Sequence, residues 1–286
     1  MKRALLGIGC LLLSGVVMAS GIAAVRKRVQ VSMRVTGNIT VAPDGHVAGY
    51  TLDHTEKLPP AVTSLLNQTV PRWTFESISV DGHPASAKAA MSMRVVAVPQ
   101  GGERYTLSVA GVAFGNGEDD SGRTLAVKHR EAPIYPPEAL RARVAGTVYM
   151  LVRVDRQGKV AEAVARQVDL KVVGSDRDMA NWRDMFAKAT LRAVRKWTFK
   201  PPVTGKEAAA PYWLASLPVD YKLRGFNVPA AELPSDYGQW QSYVPGPLQP
   251  VPWADPAQLA GSADAMPDGG IFQPSPQLRL RTLLGG

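Results

Sequence analysis

A short signature occurs twice in the chain, as Trp73-Thr-Phe75-Glu and as Trp197-Thr-Phe199-Lys, and each copy follows an alternating strand and a glycine-centred turn. Setting Gly45 on Gly158 aligns Val35 with Val148, Ile39 with Val152 and Val41 with Val154. Setting Trp73 on Trp197 aligns Val95 with Val219, and the extra residues of the second copy fall near Leu170 to Asp184. Two copies cannot stack into a solenoid, which needs at least three repeats. A chain of 286 residues has room for two ordinary domains. The expectation is two small related modules, residues 26–115 and 129–224, in an α+β fold.

The local patterns fill in each module. Val29, Val31, Met33 and Val35 alternate with polar neighbours, which marks a half-buried strand, and Pro43-Asp-Gly45 supplies the turn into a second one. Val62, Leu65, Leu66, Thr69 and Trp73 share one helical face. Met91 to Val98 and Tyr105 to Phe114 read as further strands. In the second module Val148, Met150, Val152 and Val154 point inward, Arg156-Gln-Gly158 turns, and Val160 to Val168 returns. A short helix is expected from Pro137 to Val144, an amphipathic one from Phe186 to Trp197, and a closing strand from Tyr212 to Leu223. Each module should be a mainly three-stranded antiparallel sheet packed on one or two helices.

The flanks read differently. Lys2 and Arg3 precede an apolar run from Ala4 to Met18, so residues 1–24 are read as an export signal cleaved after Ala19, with an uncleaved membrane anchor as the alternative. Cys10, the single cysteine, lies inside that run. Cleavage would leave a mature chain with no thiol chemistry. Residues 225–286 are rich in proline interspersed with Trp240, Tyr243 and Trp253, and are expected to be a disordered tail. The net charge of +9 includes a stripe of Lys188, Arg192 and Arg195, which reads as a solvated helix face because interleaved aromatics and nucleic-acid motifs are missing.

The second module carries a family resemblance. Pro133-x-Tyr135-Pro136-x-x-Ala139, Gly146 opening a Val-rich strand, Asp155-x-x-Gly158-x-Val160, Trp197-x-Phe199-x-Pro201 and a final Val-Asp-Tyr221 strand resemble the C-terminal domain of TonB, the energy transducer of Gram-negative bacteria. The first module keeps Asp44-Gly45 and Trp73-Thr-Phe75 and is read as a diverged copy. The resemblance implies a periplasmic, non-enzymatic module that pairs a sheet edge with an extended peptide of an outer-membrane receptor, or that meets an inner-membrane motor component. No histidine precedes His46 and no long spacer precedes the first module, so a binding module is expected rather than a force transmitter.

The expected partner-binding edge is the last strand, through Tyr212, Leu214, Ser216, Val219 and Tyr221, with Trp213, Leu217 and Val219 equally able to serve as core. The alternative function is structural: the two modules pair with each other or form a homodimer and leave no free edge. No catalytic motif, cofactor or metal site is expected. His46, His54, His83 and His129 are scattered, and Glu118-Asp-Asp120 lacks the alternating oxygen ligands of a calcium loop.

Overall fold

The computed structural model describes residues 29–80, 82–100, 104–117, 122–223, 237–255, 259, 262–266, 271–275 and 278–284. The apolar N-terminal run with Cys10, the acidic turn Glu118-Asp-Asp120 and residues 224–236 of the tail lie outside the described residues. No helix among the described residues is long and apolar enough to cross a membrane.

The chain runs β1 (Gln30–Val41), β2 (Val47–Leu52), α1 (Pro60–Thr69), a small hairpin of β3 (Ser79–Val80) and β4 (His83–Pro84), β5 (Ala87–Pro99) and β6 (Tyr105–Gly117). It continues through β7 (Ala126–His129), α2 (Pro137–Arg141), β8 (Gly146–Val154), β9 (Val160–Leu170), α3 (Asp176–Val194), β10 (Thr198–Lys200) and β11 (Trp213–Tyr221). Two short tail strands follow, β12 (Gln241–Tyr243) and β13 (Phe272–Pro274).

Nine of these strands form one sheet in the order β12-β1-β5-β6-β13-β11-β8-β9, with β2 also pairing β1. Separate three-stranded sheets were expected; the tail joins them. β13 lies between β6 and β11, and β12 pairs the start of β1. Val244, next after β12, exchanges two backbone hydrogen bonds with Leu170 at the end of β9, of 2.7 and 3.1 Å. The strand path thereby returns on itself, and the tail supplies partners for part of the edges that would otherwise template association.

Alternation decides which side chains are covered. Met33, Val35, Ile39, Met91, Met93 and Val95 pack with Leu66, Trp73 and Phe75 in one apolar core. Val148, Met150, Val152, Ala215, Leu217 and Val219 pack with Phe186, Trp197 and Phe199 in another. α1 and α3 sit on these core faces. The opposite faces meet each other, and Ser32, Arg34, Arg94, Thr147, Tyr149, Asp169 and Asp220 line a small polar cavity of about 60 Å³.

The two glycine turns are bonded alike. Gly45 N–H donates to Ala42 O, and Phe75 N–H donates to Gly45 O at 2.8 Å; Gly158 N–H donates to Asp155 O, and Phe199 N–H donates to Gly158 O at 2.8 Å. Both glycines have positive φ, 90° and 76°. A Cβ on Gly45 would lie 2.3 Å from Phe75 O, and one on Gly158 2.1 Å from Phe199 O. The Trp-x-Phe segment is thus pressed directly on the turn.

Two expectations need correction. The long helix begins at Asp176, about ten residues before the expected Phe186, and ends at Val194. Ser175 caps it, accepting from Asp178 N–H, so the extra residues of the second half build an additional helical segment rather than a loop. The described part of the tail is also packed rather than disordered: Tyr243, Val244, Val251, Ile271, Phe272 and Leu278 are buried. Its apolar residues carry no regular period because each enters a different surface, Ile271 the second core and Leu278 the first.

Gly158→Ala and Gly45→Ala should each cost about 1–3 kcal/mol from backbone strain alone, with more from the contact on the Phe carbonyl. Gly49→Ala, whose Cβ would meet nothing within 4 Å, should stay within about 0.5 kcal/mol of the parent. Urea unfolding of the three variants checks this; a neutral Gly158→Ala would contradict the turn geometry.

Candidate functional site

The motif residues of the second half assemble around one aromatic cluster. Pro136 precedes α2 with Pro137 in its first turn, where a missing N–H costs nothing, and Ala139 is fully buried. This places the Tyr135 hydroxyl to donate to Val144 O. The Tyr135 ring stands edge-on to Phe186 and Tyr221, at 5.7 and 5.3 Å between centroids, while Phe186 and Tyr221 stack at 4.2 Å. The Tyr221 hydroxyl lies 2.9 Å from Thr190 Oγ1. Gly146 admits the neighbouring strand, since a Cβ there would lie 2.4 Å from Asp169 O. Trp197 Nε1 donates to Glu131 O at 2.8 Å, and Arg130 covers its ring at 4.8 Å. Phe199 is buried, and Pro201 packs beside Gly158. These residues hold β11 against α2 and α3.

Along β11 the sequence-predicted edge residues divide. Val219 and Tyr221 are buried in the core, so their side chains pack the module instead of facing outward. Tyr212, just before the strand, is 37 % exposed, with Arg153 over its ring. Leu214 is half-buried opposite Arg153 of β8, and Ser216 is buried opposite Leu151. β11 pairs β8 at nine positions, from Trp213↔Val154 to Tyr221↔Gly146. On its other side, among the described residues, it matches β13 only at Ser216↔Phe272.

Periodicity does not reveal the polar network behind this strand. Arg94 donates to Asp264 at 3.0 Å and to Gln30 at 3.2 Å, with Tyr243 stacked against its guanidinium. Gln167 donates to both Asp264 and Asp169, at 3.1 and 2.8 Å, and Asp169 accepts from Gly246 N–H at 2.9 Å. First half, tail and second half are therefore linked by one run of buried hydrogen bonds. Loss of hydration raises the Asp169 carboxyl to about 6, against the lowering pull of the Gln167 and Gly246 donors. Burial drives the Tyr149 hydroxyl far up as well. The repeated polar residues of alternating strands were the available signal: Ser32, Arg34, Thr147 and Asp169 all lie on the face away from a core.

Among the described residues no group of three or more His, Cys, Asp or Glu side chains could hold a metal. His46, His54 and His129 are exposed beside Asp44, Glu56 and Glu131. Lys188 and Arg192 on α3 and Arg195 at its C-terminal cap are exposed.

The aromatic cluster, the pressed glycine turn and the closing strand fall in one continuous stretch. Residues 131–223 match the family model of the Gram-negative bacterial TonB protein C-terminal. Neither the curated proteins nor the solved structures contain a match to the chain. The TonB-type segment contributes α2, β8, β9, α3, β10 and β11; the first half and the tail strands lie outside it.

Asp169 fixes the sign of a pH effect. Its folded carboxyl holds a proton more tightly than an ordinary aspartate at 3.8, so the stability it contributes is greatest below that value and is lost as pH rises through about 6. Asp169→Asn keeps an acceptor for Gly246 N–H without the charge. It should raise the unfolding midpoint at about pH 7.5 by more than at about pH 4.5, as read by thermal melts across that range. An equal shift at both pH values would rule out the desolvated carboxylate as the cause.

Proposed function

We propose that the chain is a TonB-family protein of the Gram-negative envelope, a non-enzymatic protein-binding module acting in envelope transport, whose closing strand β11 pairs with an extended segment of a partner. The observation that carries this reading is the asymmetry of β11. One side is zipped to β8 over nine residues, and the other is matched to β13 at a single position. Main-chain groups along such an edge supply affinity to an added strand, and alternate side chains supply selectivity. Tyr212 and Leu214 are the side chains best placed to meet that strand, and an outer-membrane receptor segment is the partner that the family match suggests. Pro218 lacks an N–H and restricts pairing to the stretches on either side of it.

The first half is read as a diverged copy of the TonB-type segment. The like-bonded turns at Gly45 and Gly158 and the matching bridges His46↔Thr74 and Lys159↔Thr198 support this. A second reading, in which the protein is an assembly element without energy transduction, draws on the tail strands that join the two halves into one sheet.

Replacing Leu214 with a photo-reactive residue in cells should yield an adduct with the periplasm-facing segment of an outer-membrane receptor, and Leu214→Lys should abolish that interaction with little change in melting temperature. Adducts confined to a second copy of the chain would favour the assembly reading. Fractionation with intact-mass measurement should recover a periplasmic chain shortened near Ala19; a full-length chain retained in the inner membrane would favour the anchored alternative.

A further inference from the structure

The shortest ladder in the sheet is the seam between its halves. β13 matches β6 at three positions and β11 at one, whereas β8 and β11 match at nine. Short, sparsely bonded elements are the ones that open first.

The gap that β13 fills is nonetheless shaped for it. Gly115 forms its floor: a Cβ there would stand 2.0 Å from Gln273 O and 2.8 Å from the Phe272 ring. Phe272 is 2 % exposed and packs with Ala113, Tyr149, Ala265 and Met266. Ile271, one residue earlier, enters the core of the second half. After Pro274, Ser275 N–H donates to Phe114 O at 2.9 Å, one position further along the same register.

We propose that the gap between β6 and β11 is an acceptor slot for an extended peptide carrying an apolar residue, an aromatic residue, one further residue and then proline, and that β13 is its resident occupant, displaced by a partner segment of that chemistry. The proposal rests on the reading of β11 as the binding edge and adds what that edge selects and what guards it. The aromatic side chain is selected because only a glycine floor and small alanines leave room for a ring beside Tyr149. Proline is tolerated because Pro274 stands at the last of the three paired positions of this short strand, opposite Gly115. The tether holds β13 at high local concentration, so the intact chain resists free peptide while a vacated slot accepts it.

The test uses a fluorescent synthetic peptide of residues 270–276 titrated onto the full chain. Phe272→Ala should bind it at least ~10-fold more tightly than the parent, because the resident strand has lost its anchor. A peptide with alanine in place of its phenylalanine should not bind. A disulfide between Asn116→Cys and Gln273→Cys, which are register partners, in a Cys10→Ser background should abolish binding until it is reduced. The disulfide carries the test should Phe272→Ala fold poorly. Equal affinity of parent and Phe272→Ala, binding to neither, or undiminished binding to the oxidised pair would overturn the proposal. Peptide binding without any receptor adduct at Leu214 would remove the receptor reading and leave the slot; a receptor adduct without peptide binding would remove the slot alone.

Discussion

A β-strand left unpaired on one side exposes a row of N–H and C=O groups that must find water, a partner or another strand. The sheet depends on how that constraint is met at two places, both by residues of the tail. β13 pairs the last three residues of β6 on one side and touches β11 on the other, and the segment around β12 and Val244 links β1 to the end of β9. Each half has its own apolar core and helix. What makes them one sheet is six residues of tail strand and a single bridge.

The polar interior follows from that closure. When two halves of a sheet with apolar outer cores meet through their polar faces, the groups between them lose water and have to bond one another. Arg94, Asp264, Gln167 and Asp169 do so in sequence, and the backbone of Gly246 completes the run. Breaking such a network leaves a buried charge uncompensated, while its net contribution when intact is modest, so it specifies the arrangement of the halves more than it stabilises them. Asp264 has a particular place in it, because it belongs to the tail and meets both halves at once. The interior is therefore a register device that holds the tail in position.

Much of this was legible in the chain and part was not, for physical reasons. Period-2 alternation is a local property, and it located β1, β8 and β11 and the inward residues Val148 to Val154. The glycine turns were legible because only glycine fits beneath the Phe75 and Phe199 carbonyls. The early start of α3 was legible but missed: Met179, Trp182 and Phe186 recur at helical spacing, and Ser175 three residues before Asp178 is a helix-start signal. The joining of the halves was not legible at all. Strands of three residues such as Gln241–Tyr243 and Phe272–Pro274 have too few positions to alternate, and their pairing depends on partners distant in sequence. Val219 and Tyr221 illustrate the same limit within a strand: alternation assigns residues to two faces, but only packing against Phe186 and Tyr135 decides that these two face the core.

The two sides of the TonB-type segment are met differently by the tail. Val244 and Gln249 bond the C-terminal end of β9, the former to Leu170 and the latter through its N–H to Arg166 O at 2.7 Å. On the opposite side β11 is backed by the stacked Phe186–Tyr221 pair and by Tyr135 anchored on Val144, which fix the strand whether or not anything lies beside it. An edge that is rigid without its neighbour loses little conformational freedom when one is added, and preorganisation of that kind favours association. The two sides of the segment thus differ in what lies beside them: the end of β9 is met by the stretch from Val244 to Gln249, and β11 by the three residues of β13.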